Sequence, residues 1–580
     1  MKPSPTQVVV EKNFAEFAED NYPEISRDDA FELYVADLLL QQRNLNDEQI
    51  QYGIVDNTRD GGIDGFFVFL DGVLVQADHP ALNQGDSSAK GNGERPTIFV
   101  LLTQSKNSTA WAETPYERLM SSLPVLLDQD MPSRELEELF HTSVVEQAEI
   151  LRTLTSNLAA RFPRTLFDVR YVTRAPEQNI TAPILGKGVQ LRRVIESMLA
   201  ADAEVSVEAF GAETLYRLIA QPRSSVATLK FRNSILREDG SYLGVATIAD
   251  YLSFVRSENG ELREELFEAN VRDYEGDNTV NLAIQGTLST SDNTEFWWKN
   301  NGVTVLATNA NAPQQEITLE QPLIVNGLQT THVLHQAEQA GKVAEDRLSE
   351  GILVRIIQST DDEVRDQVIA GTNRQTRVES PALFASMEFQ HQLERYFLAN
   401  GWFYERRKNR YKNKGKAASR RVSIALLAQA MMTLVLGEPD AARARPATVL
   451  NRSAEKVFDP TIGEDPYLKA IQLLTRVSVY LKSKEAKDAL GDHSYSNVRF
   501  YVLLGVAMDQ VGTATFENLK FGKNAHRISA GVSDNDLLKI VVRVRDLFES
   551  WSKEHPEATQ DSIAKNADFR QAFVVGVAGG

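Results

Sequence analysis

The sequence predicts a multidomain chain of mixed class, with an α/β unit first, an α+β region second and an α-helical region last. Three observations predict it. At 580 residues, the chain is several times longer than the roughly 100–200 residues that one hydrophobic core usually organises. Strand-like apolar runs alternate with helical patterns as far as Gln221-Pro222, then give way to short strands between Gly- and Asn-rich turns, and finally to 3.6-residue apolar spacing. The composition, 42% hydrophobic and 24% charged with a mean hydropathy of -0.30, is that of a globular chain and excludes disordered and collagen-like classes. The predicted domains are residues 1–222, 223–421 and 422–580.

Taken in order, Asp28 to Gln42 has amphipathic spacing, with Phe31, Val35, Leu38 and Leu39 on one face and its N-cap at Arg27–Asp28. Ile63 to Leu70 and Val73 to Gln76 read as strands joined at Asp71-Gly72, the strongest short hairpin signal. Ala77 to Pro96 has no apolar period and is predicted to be an exposed, mobile loop. Strands follow at Thr97–Thr103, Leu166–Val172 and Glu204–Ala209, interleaved with helices near Tyr116–Leu127, Arg134–Leu158, Val189–Ala200 and from Glu213. That alternation defines the α/β unit. The second region carries strands at Gly302–Thr308, Pro322–Val325 and Gly351–Ile357, and the third carries helices at Tyr467–Leu481, Val498–Val511 and Asn535–Trp551. No internal repeat is evident.

Zero cysteines exclude disulfides, thiolate metal sites and cysteine nucleophiles. The first ten residues lack the order of a signal peptide, and no window approaches the roughly 18 apolar residues of a membrane span. The nearest, Val422 to Leu436, carries Ser423, Gln429 and Thr433 and reads as a buried core helix of a cytoplasmic protein with no membrane partner. The net charge of -18 would repel nucleic acid if evenly spread, but Arg406, Arg407, Lys408, Arg410, Lys412, Lys414, Lys416, Arg420 and Arg421 form a run with no acid among them. With Trp402, Phe403, Tyr404 and Tyr411 interleaved, the run is the candidate nucleic-acid contact, against the plain alternative of a solvated face.

Gly61-Gly62-Ile63-Asp64-Gly65 puts an acid at the mouth of a strand, and Gln104-Ser105-Lys106 ends another forty residues later. On neighbouring strands, Asp64, the Gln104 side-chain carbonyl and the Ser105 backbone carbonyl can offer oxygen ligands to one hard cation, with Lys106 beside the attacking water. Phosphodiester hydrolysis needs such a set: a cation to lower the pKa of water and ammonium charge to meet the developing negative charge. The plain alternative is turn chemistry plus a lysine facing solvent.

The arrangement resembles the PD-(D/E)xK restriction-endonuclease-like superfamily in its Mrr-like branch, where the middle acid is replaced to give Asp…Gln-x-Lys. The Pro-Asp pair of the name is absent, and the 77–96 loop is inserted between Asp64 and Gln104. The resemblance implies a restriction-like α/β nuclease domain over 1–222, metal-dependent hydrolysis with Mg²⁺ or Mn²⁺, and a further metal-site acid at Glu32 in the Phe31-Glu32 pair. It also implies, by analogy, a homodimer or higher homo-oligomer.

A second set of polar clusters contains Asn270 and Arg272, then Trp297-Trp298-Lys299-Asn300-Asn301-Gly302, then Asn326-Gly327-Leu328-Gln329-Thr330-Thr331, then Asn373-Arg374. Converging Asn, Gln and Gly residues suit a phosphate, sugar or base; the plain alternative is that Asn-Gly pairs make turns and Trp297-Trp298 fill a core. In this order, and with Gly401 to Arg407 after them, these segments resemble the AIPR family, named for abortive infection and phage resistance, over about residues 231–450. That resemblance implies bacterial anti-phage defence, with an AIPR region that senses or positions a target or binds a nucleotide or phage-derived trigger. His332 and His335 have no third ligand and are read as ordinary histidines. The expected function is therefore a metal-dependent endonuclease of phage defence, DNA favoured over RNA. The alternative is an inactive nucleic-acid-binding or nucleotide-binding sensor.

Overall fold

A computed structural model describes the chain except for residues 1–2, 44, 56–58, 84–94, 222–225, 234, 239, 257–259, 261, 264–265, 268–278, 290–294, 313–314, 345, 374–380, 407, 445 and 579–580. The N-terminal part opens with helices α1 (Pro5–Asn21), α2 (Arg27–Leu39) and α3 (Asp47–Gly53). The cap of α2 is Ser26 rather than Arg27–Asp28, because its hydroxyl accepts from the Asp29 N–H. Strands β1 (Gly65–Leu70), β2 (Val73–Leu74) and β3 (Thr97–Lys106) follow, and Asp71 and Gly72, both at positive φ, turn the hairpin as expected. Within the described part of the predicted 77–96 loop, Ala81 is buried in the core, so that stretch is not wholly exposed. Residues 84–94 lie outside the described residues.

Helices α4 (Thr114–Leu126), α5 (Ser133–Leu139) and α6 (Thr142–Leu158) lead to β4 (Arg164–Thr173), and α7 (Ala182–Met198) leads to β5 (Glu204–Phe210) and α8 (Ala212–Ala220). The helical pattern over 134–158 is thus two helices. His141 caps the second by accepting from the Ser143 N–H, while its own backbone N–H donates to the Arg59 carbonyl. The sheet order is β2-β1-β3-β4-β5, with β1 antiparallel to β2 and β3, and β3, β4 and β5 parallel. The pleat sorts its side chains into two layers. Phe66, Val68, Val100, Leu102, Val169 and Tyr171 pack with α4, α6 and α7, while Phe67, Phe69 and Leu101 pack with α2 and α3.

The second region contributes β6 (Val226–Lys230), β7 (Leu236–Glu238), β8 (Ser241–Thr247), α9 (Ile248–Val255), α10 (Thr279–Ser289), α11 (Phe296–Lys299) and β9 (Val303–Ala307). It continues with β10 (Asn309–Asn311), β11 (Glu316–Glu320), β12 (Leu323–Asn326), α12 (Leu328–Gln339), β13 (Gly351–Gln358) and α13 (Asp362–Asn373). Its main sheet runs β12-β9-β13-β8-β7, with a three-stranded sheet β10-β11-β6 beside it. Helix α14 (Pro381–Ala399) and strands β14 (Phe403–Glu405) and β15 (Arg421–Ser423) come next. The two strands pair in parallel, so the change of pattern at residue 421 falls inside a two-stranded sheet. Phe389, Leu393, Phe397, Trp402 and Tyr404 share one core with the C-terminal helices Asp465–Leu481, Tyr495–Val511 and Asp534–Glu554. The helical layer therefore begins well before 422. Among the described residues, no helix is long and apolar enough to cross a membrane.

Candidate functional site

Asp64 stands just before β1, its N–H donating to the Thr103 carbonyl at 2.9 Å, which sets it against the end of β3. Its Oδ2 accepts from Gln104 Nε2 at 2.6 Å, from the Ser105 N–H at 2.5 Å and from the Ser105 hydroxyl at 3.2 Å. All three residues are buried, whereas Lys106 is exposed. Because Leu102 faces the α4 layer, Gln104 and Lys106 face it too. Ser105 thus meets Asp64 through two donors, its N–H and its hydroxyl.

Burial pushes the Asp64 carboxyl up to about 6, against the pull of the Lys106 ammonium and the Ser105 N–H, with Asp60 adding to the rise. The amide of Gln104 turns its nitrogen to the carboxylate, and this leaves its Oε1 buried without a hydrogen-bond partner. An orphaned carbonyl oxygen costs on the order of 1–3 kcal/mol. Beside a carboxylate, it is the donor type a hard divalent cation takes. The residues present therefore fit the expected Mg²⁺ or Mn²⁺, although no group of three or more acids and histidines forms a metal cluster among the described residues.

The loop before Asp64 is held in an unusual backbone. Arg59, Gly61 and Gly62 all have positive φ, at 69°, 66° and 83°, a conformation that costs a non-glycine residue stability. It is pinned from α4 by the Ser122 hydroxyl, which donates to the Gly61 carbonyl at 2.6 Å, and internally by the Gly62 N–H on Asp60 Oδ1 at 2.7 Å. A Cβ on Gly62 would lie 2.7 Å from Arg118 Cβ and 3.4 Å from Gln104 Oε1. Sequence reading missed Asp60 and Arg118. The first has a signal, a second acid bracketing the Gly-Gly pair; the second has none, being one exposed arginine on a helix.

Glu32 is half-buried on α2, in the layer across the sheet from Gln104 and Lys106. The first turn of its helix does reach the end of β3, where Asn107 Nδ2 donates to Asp28 Oδ1 at 2.8 Å. No hydrogen bond or ion pair joins Glu32 to Asp64, Gln104, Ser105 or Lys106 among the described residues.

The basic run is where folding most changes the sequence reading. It contains no acid, yet acids from elsewhere reach it. Arg406 pairs with Glu394 at 3.2 Å, and Arg410 pairs with the same carboxylate. Lys412 lies 2.8 Å from Asp37 on α2 and donates to the Leu45 carbonyl at 3.0 Å. Arg421 binds Asp47. Trp402, Tyr404 and Tyr411 are buried, so the expected aromatic platform for bases is corrected: Trp402 and Tyr404 belong to the core shared with the helical layer, and Tyr411 lies against the Phe403 ring with its hydroxyl donating to Glu394. Lys408, Lys414, Lys416 and Arg420 are exposed, Lys416 lying over the Phe403 ring and Arg420 over that of Trp402. Arg407 lies outside the described residues.

The asparagine clusters meet in part. Asn300 Nδ2 donates to Thr330 Oγ1 at 3.1 Å, and its Oδ1 accepts from the Gly302 N–H at 2.8 Å, so both of its polar groups clip the turn before β9 to the start of α12. Asn326 ends β12 opposite Thr304, Gln329 is in the first turn of α12, and Asn301 is exposed at the same end of the sheet. Asn373 closes α13, which packs on β12. Asn270, Arg272 and Arg374 lie outside the described residues. The Trp pair does not fill the core: Trp298 is 61% exposed, and Phe296 takes the buried place. His332 and His335 are held well below the usual imidazole range, at about 4, chiefly by burial, and His335 Nδ1 accepts from Arg256.

Fold and site together define a mixed α/β protein that joins a five-stranded sheet bearing a buried acid to a larger α+β and helical body. A family model described as AIPR protein matches residues 267–561, and the chain belongs to that family. The match begins later than residue 231 and runs past 450 through most of the helical region, so the helical part is continuous with the family region rather than appended to it. Membership suggests a role in phage defence or abortive infection. Nothing matches among the curated proteins or the solved structures.

Proposed function

We propose that this AIPR protein is a metal-dependent nuclease of phage defence, hydrolysing phosphodiesters of nucleic acid, DNA before RNA, at the Asp64 site. The single observation that carries the reading is the orphaned Gln104 Oε1 beside the Asp64 carboxylate, with the exposed Lys106 ammonium two residues further on the same face. Asp64 and Gln104 would hold the cation, which when bound supplies Lewis-acid charge and a lowered water pKa. Lys106 orients the attacking water and meets the charge developing on the phosphoryl oxygens. The Ser105 N–H and hydroxyl fix the carboxylate's rotamer. The AIPR region would sense or position the target.

A second reading, a sensor that binds nucleic acid without cutting it, is favoured by the three protein donors already placed on Asp64 Oδ2. One experiment separates the two. Purified chain is incubated with plasmid DNA and with structured RNA, in Mg²⁺, in Mn²⁺ and in chelator, beside Asp64→Asn and Lys106→Ala. Metal-dependent cleavage lost in both variants is expected; cleavage undiminished in both defeats the nuclease reading.

A further inference from the structure

The Asp64 site has a wall that the acid, amide and lysine do not account for. Helix α4 lies over the 59–64 loop, and Arg118 in its second turn passes so close to Gly62 that a Cβ there would meet Arg118 Cβ at 2.7 Å. The same point is 3.4 Å from the orphaned Gln104 Oε1. Arg118 therefore rises beside the buried pair, and the glycine makes room for its stem. Neighbouring cations on this protein are neutralised: Lys187 on α7 pairs with Glu117 at 2.9 Å, and Arg59 pairs with Asp492 at 3.1 Å. Arg118 is exposed, and among the described residues no carboxylate pairs with its guanidinium; the same holds for Lys106. Two cations thus flank one buried carboxylate on one face of the sheet.

A guanidinium presents a rigid fork that matches the oxygens of a phosphodiester bidentately, which a point-charge ammonium cannot do. We propose that Arg118 is the phosphate-gripping residue of the Asp64 site, holding the non-bridging oxygens of the scissile phosphodiester while Lys106 attends the nucleophile. The assignment rests on the nuclease reading and names the group that its substrate must offer.

The test uses the full chain carrying Asp64→Asn, chosen so that a bound duplex is left uncut, and a short DNA duplex or an RNA duplex of equal length titrated over a range of salt. Adding Arg118→Ala weakens binding about tenfold or more and lowers the salt slope by about one unit, with the melting temperature unchanged. Adding Arg118→Lys keeps the slope. In the cutting-competent chain the same lysine lowers kcat, because charge without the fork is not enough. The duplex that shows the slope change identifies the sugar type. Identical binding by the Asp64→Asn chain with and without Arg118→Ala overturns the assignment, as does binding of neither duplex at low salt. Cleavage lost in Lys106→Ala but kept in Arg118→Ala sinks the arginine alone and leaves the nuclease standing.

Discussion

Arg421 closes a fork on Asp47, its Nε and Nη2 each 2.7 Å from a carboxylate oxygen, across 374 residues of sequence. The pair ties the start of α3 to β15, and Lys412 adds the Asp37 carboxylate of α2 to the same junction. The helix that carries Glu32 is therefore held by the body that carries the family match. Removing one partner of a buried pair leaves an uncompensated charge, at a cost of about 3–5 kcal/mol. Arg421→Ala should accordingly lower the melting temperature by several degrees, with Arg421→Lys intermediate because it keeps charge and loses the fork. A melting curve that does not move in Arg421→Ala would show that the junction contributes nothing.

Lys412 and its neighbours should separate cleanly. Lys412→Ala is expected to destabilise the fold, since its ammonium is enclosed by Asp37, Asp47 and the Leu45 carbonyl. Replacing exposed Lys414 and Lys416 together should leave stability unchanged within about 0.5 kcal/mol. If the segment touches nucleic acid, that double replacement lowers the salt slope by about one unit per lost phosphate contact. An unchanged slope assigns the surface to solvent or to a protein partner.

Gln104→Glu places a second carboxyl where an amide now donates to Asp64 at 2.6 Å. Like charges at that distance raise each other's pKa and oppose folding, while a cation between them relieves both. The melting temperature of the variant should fall in chelator and recover in Mg²⁺ or Mn²⁺, with a larger metal-induced shift than the parent's. Equal shifts in the two proteins would remove the cation from this position.

Glu48 is pushed up to about 7 from 4.5, first by burial and then by Asp47, with Glu405 also raising it. The folded chain then holds a proton that the unfolded chain releases, so the stability linked to this group is complete below about 4.5 and is lost as pH rises through 7. Glu48→Gln keeps the neutral form at every pH. Its melting temperature should match the parent's near pH 5 and exceed it near pH 8, at roughly 2–4 °C for each kcal/mol relieved. A constant difference across that range would place the titration elsewhere.

Local chemistry made the N-terminal sheet legible. The Asp71-Gly72 turn, the apolar strands and the face shared by Gln104 and Lys106 all follow from backbone preference and the two-residue pleat, which act over a few residues. The nearness of Asp64 and Gln104 was equally readable, because antiparallel pairing of β1 with β3 puts the two together once the strands are neighbours, whereas the donation of the Gln104 amide to the carboxylate was not. The asparagine clusters were readable as turns, and Asn300 is indeed used as one.

Partners far apart in the chain were not readable. A run of cations from Arg406 to Arg421 looks unbalanced until folding brings Asp37, Asp47 and Glu394 onto it, and Trp402, Tyr404 and Tyr411 look like a binding platform until folding buries them. The position of Glu32 across the sheet from Gln104, and of Arg118 beside it, is set in the same way. Periodicity and turn chemistry are properties of neighbouring residues and are written in order along the chain. Which charge meets which, and which ring is buried, depends on how layers stack, and no local pattern records that.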